Sequence, residues 1–267
     1  LTDWLALCRA ASADVAAAVA RLPLRADREP VTGAGEGGDD TTAIDAAAEH
    51  AVLERLRASG VAMTVVSEEV GEVRLGQGPG VRVVVDPIDG SNNAKRGLPH
   101  FALSIAVAEG ETMADVVFGY VHDLGTGEEW TARRGGGAFL NGVPLEERPK
   151  DELELLSFEA TTTDAVAAQA AAMVGVAKRL RIMGSLAIAL CNLSAGRLDG
   201  VCSLKPARSV DIAAAQLLVR ERGLAIDLFE DPPFDAAPLD LGARSRVVAA
   251  GTPELCDRLA SALKADK

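Results

Sequence analysis

Trp4, Cys8, Ala11, Val15, Ala18 and Leu22 recur at three- and four-residue spacing, a pattern that predicts an amphipathic helix opening the chain. A second helix is expected over about 42–59, with Ile44, Ala48, Val52 and Leu56 on its buried side. The period then changes. Segments 61–67 and 81–85 are short β-branched runs and read as buried strands. Phe101, Leu103, Ile105 and Val107 alternate with small or polar residues, as a half-buried strand should. Segment 113–121 continues that sheet, and Gly125-Thr126-Gly127 turns the chain into a strand around Trp130.

After Val143-Pro144, strands alternate with helices. Strands are expected at 153–158, 179–182, 198–202, 225–229 and 246–250, and helices at 164–174, 185–195, 211–222 and 253–263. Thr252 is placed to cap the last helix, with Pro253 at its first position. The change of pattern sets a soft boundary that divides the chain into lobes 1–143 and 144–267, neither of which is expected to fold well alone. Periodicity by itself supports a mixed α/β protein.

Composition narrows the picture. The 267 residues suffice for a sizeable core, and with aromatics at only 3% that core must be mostly aliphatic. Net charge is −12 with no Lys/Arg-rich run, which excludes nucleic acid and an anionic membrane surface as natural partners. A phosphorylated metabolite stays compatible, provided cations stand between the two sets of negative charge. Cys8, Cys191, Cys202 and Cys256 are widely spaced and form no CxxC pair, so buried reduced thiols are expected. Asp3 without a basic segment argues against a signal peptide, and the longest apolar stretches, such as 182–191, are too short to span a bilayer. A cytoplasmic setting is the expectation.

Segment 30–40, PVTGAGEGGDD, has a formal GxGxxG match at Gly33, Gly35 and Gly38. A dinucleotide fingerprint needs a strand immediately before it, and the polar ADRE segment is not one. The stretch reads instead as a mobile acidic loop.

The chemistry concentrates in Val85-Asp86-Pro87-Ile88-Asp89-Gly90-Ser91. A strand ends in Asp86, turns through Pro-Ile and presents Asp89, so both carboxylates can face one hard cation, with the Ile88 carbonyl between them. The Gly90 and Ser91 amides could then meet a phosphate if a helical turn starts there. Asp, Pro and Gly are also ordinary turn formers, so a plain surface turn is the competing reading. Glu68, in Ser67-Glu68-Glu69, closes the preceding strand at the same kind of edge. Asp211 opens an alanine-rich helix and Asp45 lies in the first turn of another. Simple capping and dipole complementation are the competing readings for these two.

Asp45, Ser67-Glu68-Glu69, DPIDGS at 86–91, GSLA at 184–187, AGRLDG at 195–200 and VDIAAA at 210–215 stand in the order and spacing of the inositol monophosphatase family. The resemblance spans nearly the whole chain. It implies a layered α/β/α/β/α sandwich of the sugar-phosphatase type, dimeric and lithium-sensitive. It further implies hydrolysis of a small polyol or sugar phosphate with two or three Mg2+ ions. Carried over by position, Glu68, Asp86, the Ile88 carbonyl, Asp89 and Asp211 would hold metal. Glu68, Asp45 and Ser91 would activate water, with Ser91 standing where threonine is commoner. Asp89, Gly90, Ser91, Gly184 and Ser185 would contact substrate.

Two departures leave the substrate open. Val210 replaces a tryptophan frequent before the late aspartate, and Leu204-Lys205-Pro206-Ala207-Arg208 stands where inositol-specific enzymes carry a glutamate. Lys205 and Arg208 are either ligands for a second phosphate or solvated surface charges. Inositol monophosphate is the first expectation and fructose 1,6-bisphosphate the second, with a nucleotide bisphosphate or histidinol phosphate behind them. Retention of all five carboxylates and the Ser91 hydroxyl argues against a non-catalytic relative.

Overall fold

The computed structural model describes residues 2–264. Helix α1 (Trp4–Ala20) forms where its stripe predicts, started by the Asp3 carboxylate accepting the Ala6 N–H at 3.1 Å. Helix α2 (Arg25–Arg28) is a single turn. The glycine-rich segment differs from the expected loop. Strands β1 (Val31–Ala34) and β2 (Asp40–Thr42) pair antiparallel, and the Gly35 N–H closes the tip on the Asp39 carbonyl at 2.9 Å. Helix α3 (Ala43–Ala58) follows, one residue shorter at each end than expected.

The first half then builds one large sheet from β3 (Met63–Ser67), β4 (Gly71–Leu75), β5 (Val81–Asp89), β6 (Ala102–Ala108), β7 (Val116–Asp123), β8 (Glu129–Arg133), β9 (Gly137–Leu140) and β10 (Val143–Pro144). Helix α4 (Ser91–Arg96) interrupts it after β5. The strand order is β10-β9-β8-β7-β6-β5-β3-β4. The predicted strand at 113–121 starts late because Thr112 donates its N–H and hydroxyl to Asp115, folding Met113–Asp115 into a tight 3-10 turn.

The second half supplies β11 (Leu155–Glu159), α5 (Thr163–Ala170), β12 (Arg179–Arg181), α6 (Leu186–Ser194), β13 (Gly200–Ser203), α7 (Ser209–Glu221), β14 (Ala225–Leu228), β15 (Val247–Ala250) and α8 (Pro253–Lys264). Its five strands lie in the order β12-β11-β13-β15-β14.

Strand parity stacks these pieces. Val83, Val85, Leu103, Ile105 and Val107 face α1 and α3 in one core, whereas Val84, Ala102, Ala106 and Ala108 face α6 and α7 in another. On the small sheet, Val201, Val247 and Ala249 join that second core, while Cys202, Val248 and Ala250 turn to a third core under α8. The result is an α/β/α/β/α sandwich. Every residue of α6 is buried, as a helix between two sheets requires. All four cysteines are free and buried. Among the described residues no helix is long and apolar enough to cross a membrane.

Candidate metal centre

Strands β3 and β5 run parallel, with Ser67 opposite Val85, so both release the chain at the same edge of the large sheet. Glu68 and Asp86 therefore emerge side by side. Helix α7 lies over this sheet and brings Asp211 in from its first turn. One carboxylate oxygen from each of Glu68, Asp86 and Asp211 falls within 4.8 Å of the others, and among the described residues this is the one such group of possible metal ligands. Three carboxylates this close repel one another unless a cation or protons intervene.

Titration reflects that crowding. Burial raises the Glu68 pKa to about 8, with Arg208 opposing and Asp211 and Glu69 adding to the rise. Asp86 is pushed well up by burial and then by Glu68, Asp89 and Asp211. Burial also lifts Asp89 to about 7, against hydrogen bonds that favour its charged form. Those bonds come from the start of α6: the Ser185 hydroxyl donates to Asp89 Oδ2 at 2.6 Å and the Ala187 N–H at 2.7 Å. Asp89 is thus held toward α6 and stands outside the three-carboxylate group.

Asp45, Glu68, Glu69, Asp86, Ile88 and Ser91 line a narrow cleft beside the group. The Ser91 hydroxyl donates to the Ile88 carbonyl at 3.0 Å. Asp45 Oδ2 accepts the Thr42 N–H at 3.2 Å and the Thr42 hydroxyl, while its Oδ1 is buried without a hydrogen-bond partner. Lys95 Nζ lies 3.9 Å from Asp45. Gly90 adopts φ +94°, and a Cβ there would stand 2.8 Å from the His100 carbonyl and 3.0 Å from that of Gly184. Only glycine lets the DPIDG turn approach the α6 start this closely. Gly90, Gly184 and Ser185 accordingly meet at one corner of the site.

Lys205 and Arg208 part company. Lys205 is exposed. Arg208 is 11% exposed, with Nη1 2.7 Å from Glu68 Oε1 and Nη2 3.2 Å from Asp211 Oδ1. Burial alone would lower its pKa, but Asp211 and Glu68 outweigh burial and raise it. The hairpin tip lies over this guanidinium: a Cβ on Gly37 would stand 2.6 Å from Arg208 Nη1. The tip is docked through the Gly37 N–H on the Glu68 carbonyl at 2.8 Å, the Glu36 N–H on the Glu69 carbonyl at 3.0 Å, and Arg244 on the Gly37 carbonyl.

Three participants carried no local signal. Glu69 takes the Thr41 hydroxyl, and its pKa is raised chiefly by burial. Glu49 on α3 supports the Glu68 segment by accepting the Ser67 hydroxyl at 2.8 Å, and its pKa is raised by burial to about 7. Glu159, wholly buried at the end of β11, holds the Met183–Gly184 turn. Glu69 at least stands beside a candidate ligand and Glu49 one helical turn after Asp45; Glu159 lies far from any motif.

Residues 4–266 match the model of the inositol monophosphatase family. A fructose-1,6-bisphosphatase/inositol-1-monophosphatase of Methanothermobacter thermautotrophicus is 32% identical over 98% of this chain and 96% of its own length. The Nus factor SuhB of Escherichia coli is 33% identical over 88% of this chain and 90% of its own. Among solved structures, an inositol monophosphatase–fructose 1,6-bisphosphatase superposes with a TM-score of 0.85 at 25% identity, covering 98% of this chain and 100% of the other. The chain belongs to the inositol monophosphatase family and has the fold of its solved members.

Proposed function

We propose that the protein hydrolyses a phosphate monoester on a small polyol or sugar with Mg2+, inositol monophosphate being the first substrate to test. The convergence of Glu68, Asp86 and Asp211 beside the narrow cleft shared by Asp45 and Ser91 carries this reading. The donor set fits a hard divalent cation, being all oxygen, drawn from three elements and mutually repelling. The unpartnered buried oxygen of Asp45 fits a site completed by further polar groups. Glu68, Asp86, the Ile88 carbonyl, Asp89 and Asp211 would hold two or three ions. Such ions supply neutralisation of the phosphate, a more acidic water and stabilisation of the leaving alkoxide.

The chain's own residues would orient and accept protons. Asp45 Oδ1 and the Ser91 hydroxyl would position the attacking water, with Asp45 and Glu68 as the acceptors of its proton. The Gly90 and Ser91 amides would meet the phosphate, and the Gly184–Ser185 corner the polyol or sugar. We also propose a homodimer, by analogy with the family; light scattering that returned only the monomer mass would remove that part.

A second reading, fructose 1,6-bisphosphatase or dual specificity, is favoured by the names of the archaeal relatives. It would use Arg208 and Lys205 for the distal phosphate, which requires Arg208 to leave Glu68. Phosphate release from inositol 1-phosphate, fructose 1,6-bisphosphate, adenosine 3′,5′-bisphosphate and histidinol phosphate, with Mg2+ and with EDTA, decides between them. Release insensitive to EDTA would sink the metal mechanism.

A further inference from the structure

Glu159 is a carboxylate with no exposed surface, and none of the proposed metal or substrate roles uses it. It ends β11 in the small sheet, yet its oxygens are spent on the turn that starts α6. Oε2 accepts the Gly184 N–H at 2.8 Å, and Oε1 accepts the Met183 N–H at 3.2 Å and the Ser157 hydroxyl at 2.6 Å. Burial raises its pKa, while Ser157 and the successive amides of Gly184, Met183 and Ser185 favour the charged form. Burying a carboxylate among donors from a neighbouring turn is costly unless those bonds are made. The arrangement spends that cost on fixing one short segment.

What that segment holds gives the arrangement its meaning. Ser185 caps α6, its hydroxyl also accepting the Ile188 N–H at 3.2 Å, and Ser185 Oγ with the Ala187 N–H grips Asp89 Oδ2. The Met183 carbonyl accepts Asn93 Nδ2 at 2.8 Å, tying the same turn to α4. Gly184 sits at φ +87°, its carbonyl within 3.0 Å of where a Gly90 Cβ would be. A continuous line of short bonds therefore runs from Glu159 in the small sheet, through residues 183–187, to Asp89 at the end of the large sheet.

We propose that Glu159 is a positioning residue: by clamping the Met183–Gly184–Ser185 turn it sets the orientation of Asp89, and with it metal affinity at the carboxylate site. This rests on the metal reading above for its consequence, but the clamp is testable apart from it. A carboxylate can accept at both oxygens, whereas glutamine must turn an NH2 toward either the Gly184 amide or the Met183–Ser157 pair. Groups that hydrogen-bond a metal ligand, the place Ser185 and Ala187 hold toward Asp89, change metal affinity by about 10- to 100-fold when removed, and Glu159 acts one step behind them.

The experiment uses the full chain, wild type against Glu159→Gln, with Glu159→Asp as a milder variant that keeps the charge should the first not fold. Amide hydrogen exchange is followed at 183–187, and Mg2+ binding to metal-stripped protein by calorimetry. The expected result is faster exchange at Ser185 and Ala187, with protection in α1 and α3 unchanged, and Mg2+ affinity about tenfold weaker. Wild type that takes up no Mg2+ while the variant still loosens 183–187 would remove the metal reading and leave the clamp standing. Unchanged exchange at 183–187, or loosening spread evenly over the fold, would overturn the proposal.

Discussion

Helices α3 and α7 begin in the same way and end up in different electrostatic states. Each carries an aspartate as its third residue, and each aspartate spends one oxygen on the amide that precedes the helix. Asp45 Oδ2 accepts from Thr42 N and Asp211 Oδ2 from Arg208 N at 2.6 Å. Capping and chemistry are therefore not rival explanations for these residues. Satisfying the helix start uses one carboxylate oxygen and aims the other into the site. The second oxygens diverge: Asp45 Oδ1 is buried and unpartnered, whereas Asp211 Oδ1 meets the Arg208 guanidinium. One helix presents an oxygen without a hydrogen-bond partner and a cation no nearer than Lys95 at 3.9 Å, the other a carboxylate hydrogen-bonded directly to a guanidinium.

Asparagine at each position sharpens the difference, because it keeps the cap and removes the charge. Asp211→Asn is expected to lower turnover on the order of 10³-fold and to weaken Mg2+ binding, since it strips one of three converging ligands. Asp45→Asn is expected to lower turnover by about 10² to 10⁴-fold, the range for a lost general base, while calorimetry returns an Mg2+ affinity close to wild type. Equal loss of metal affinity in both variants would erase the distinction.

Arg208→Met tests the paired side directly. Removing one partner of a buried ion pair costs about 3 kcal/mol, so the metal-free variant should melt at lower denaturant than wild type. Saturating Mg2+ should recover more stability in the variant, where no guanidinium competes for Glu68 and Asp211. A metal-free denaturation midpoint unchanged by the substitution would mean that the ion pair contributes nothing to the fold.

The pH dependence of metal-free protein follows from the raised pKa values. Glu68 holds its proton up to about pH 8 in the folded chain, against an ordinary value of 4.5, and Asp86 shifts the same way. Between those limits the folded state binds more protons than the unfolded one, so stability falls as pH rises from about 4.5 to 8. Urea midpoints of EDTA-treated protein should fall across that window and level off when Mg2+ is added; rising midpoints would contradict the assignment. The smallest effect is expected from Thr42→Val, which removes the hydroxyl bonded to Asp45. A loss of about 1 kcal/mol and only a few-fold drop in turnover would fit a bond that steadies the cap.

The elements legible in the sequence were those whose period serves a core. Helices α1, α3, α6, α7 and α8 and strands β5 and β6 lie within a few residues of the expected places because each buries a continuous apolar face. Strands β4, β9 and β10 were not anticipated. Gly71–Leu75 alternates buried and solvent-facing residues, and Val143–Pro144 is exposed. β4 and β10, at the two edges of the sheet, and β9 next to β10 owe their conformation to the open hydrogen-bonding row of a neighbour rather than to their own side chains. The β1–β2 hairpin is similar: its tip is ordered by the Glu68 and Glu69 carbonyls, residues more than thirty positions away.

By itself the sequence determined the carboxylate motifs, their order along the chain and the family to which they belong, since DPIDGS and VDIAAA are contiguous strings whose chemistry is local. Tertiary structure alone decided which oxygens meet. The parallel pairing of β3 with β5 sets Glu68 beside Asp86, and the packing of α7 over the large sheet brings in Asp211. It also separated Lys205 from Arg208, three positions apart in the chain, by seating one guanidinium among carboxylates under Gly37 and leaving the other cation in solvent. The reason is physical: burial and charge pairing depend on distance in space, and a fold returns distant segments to within a few ångströms of one another.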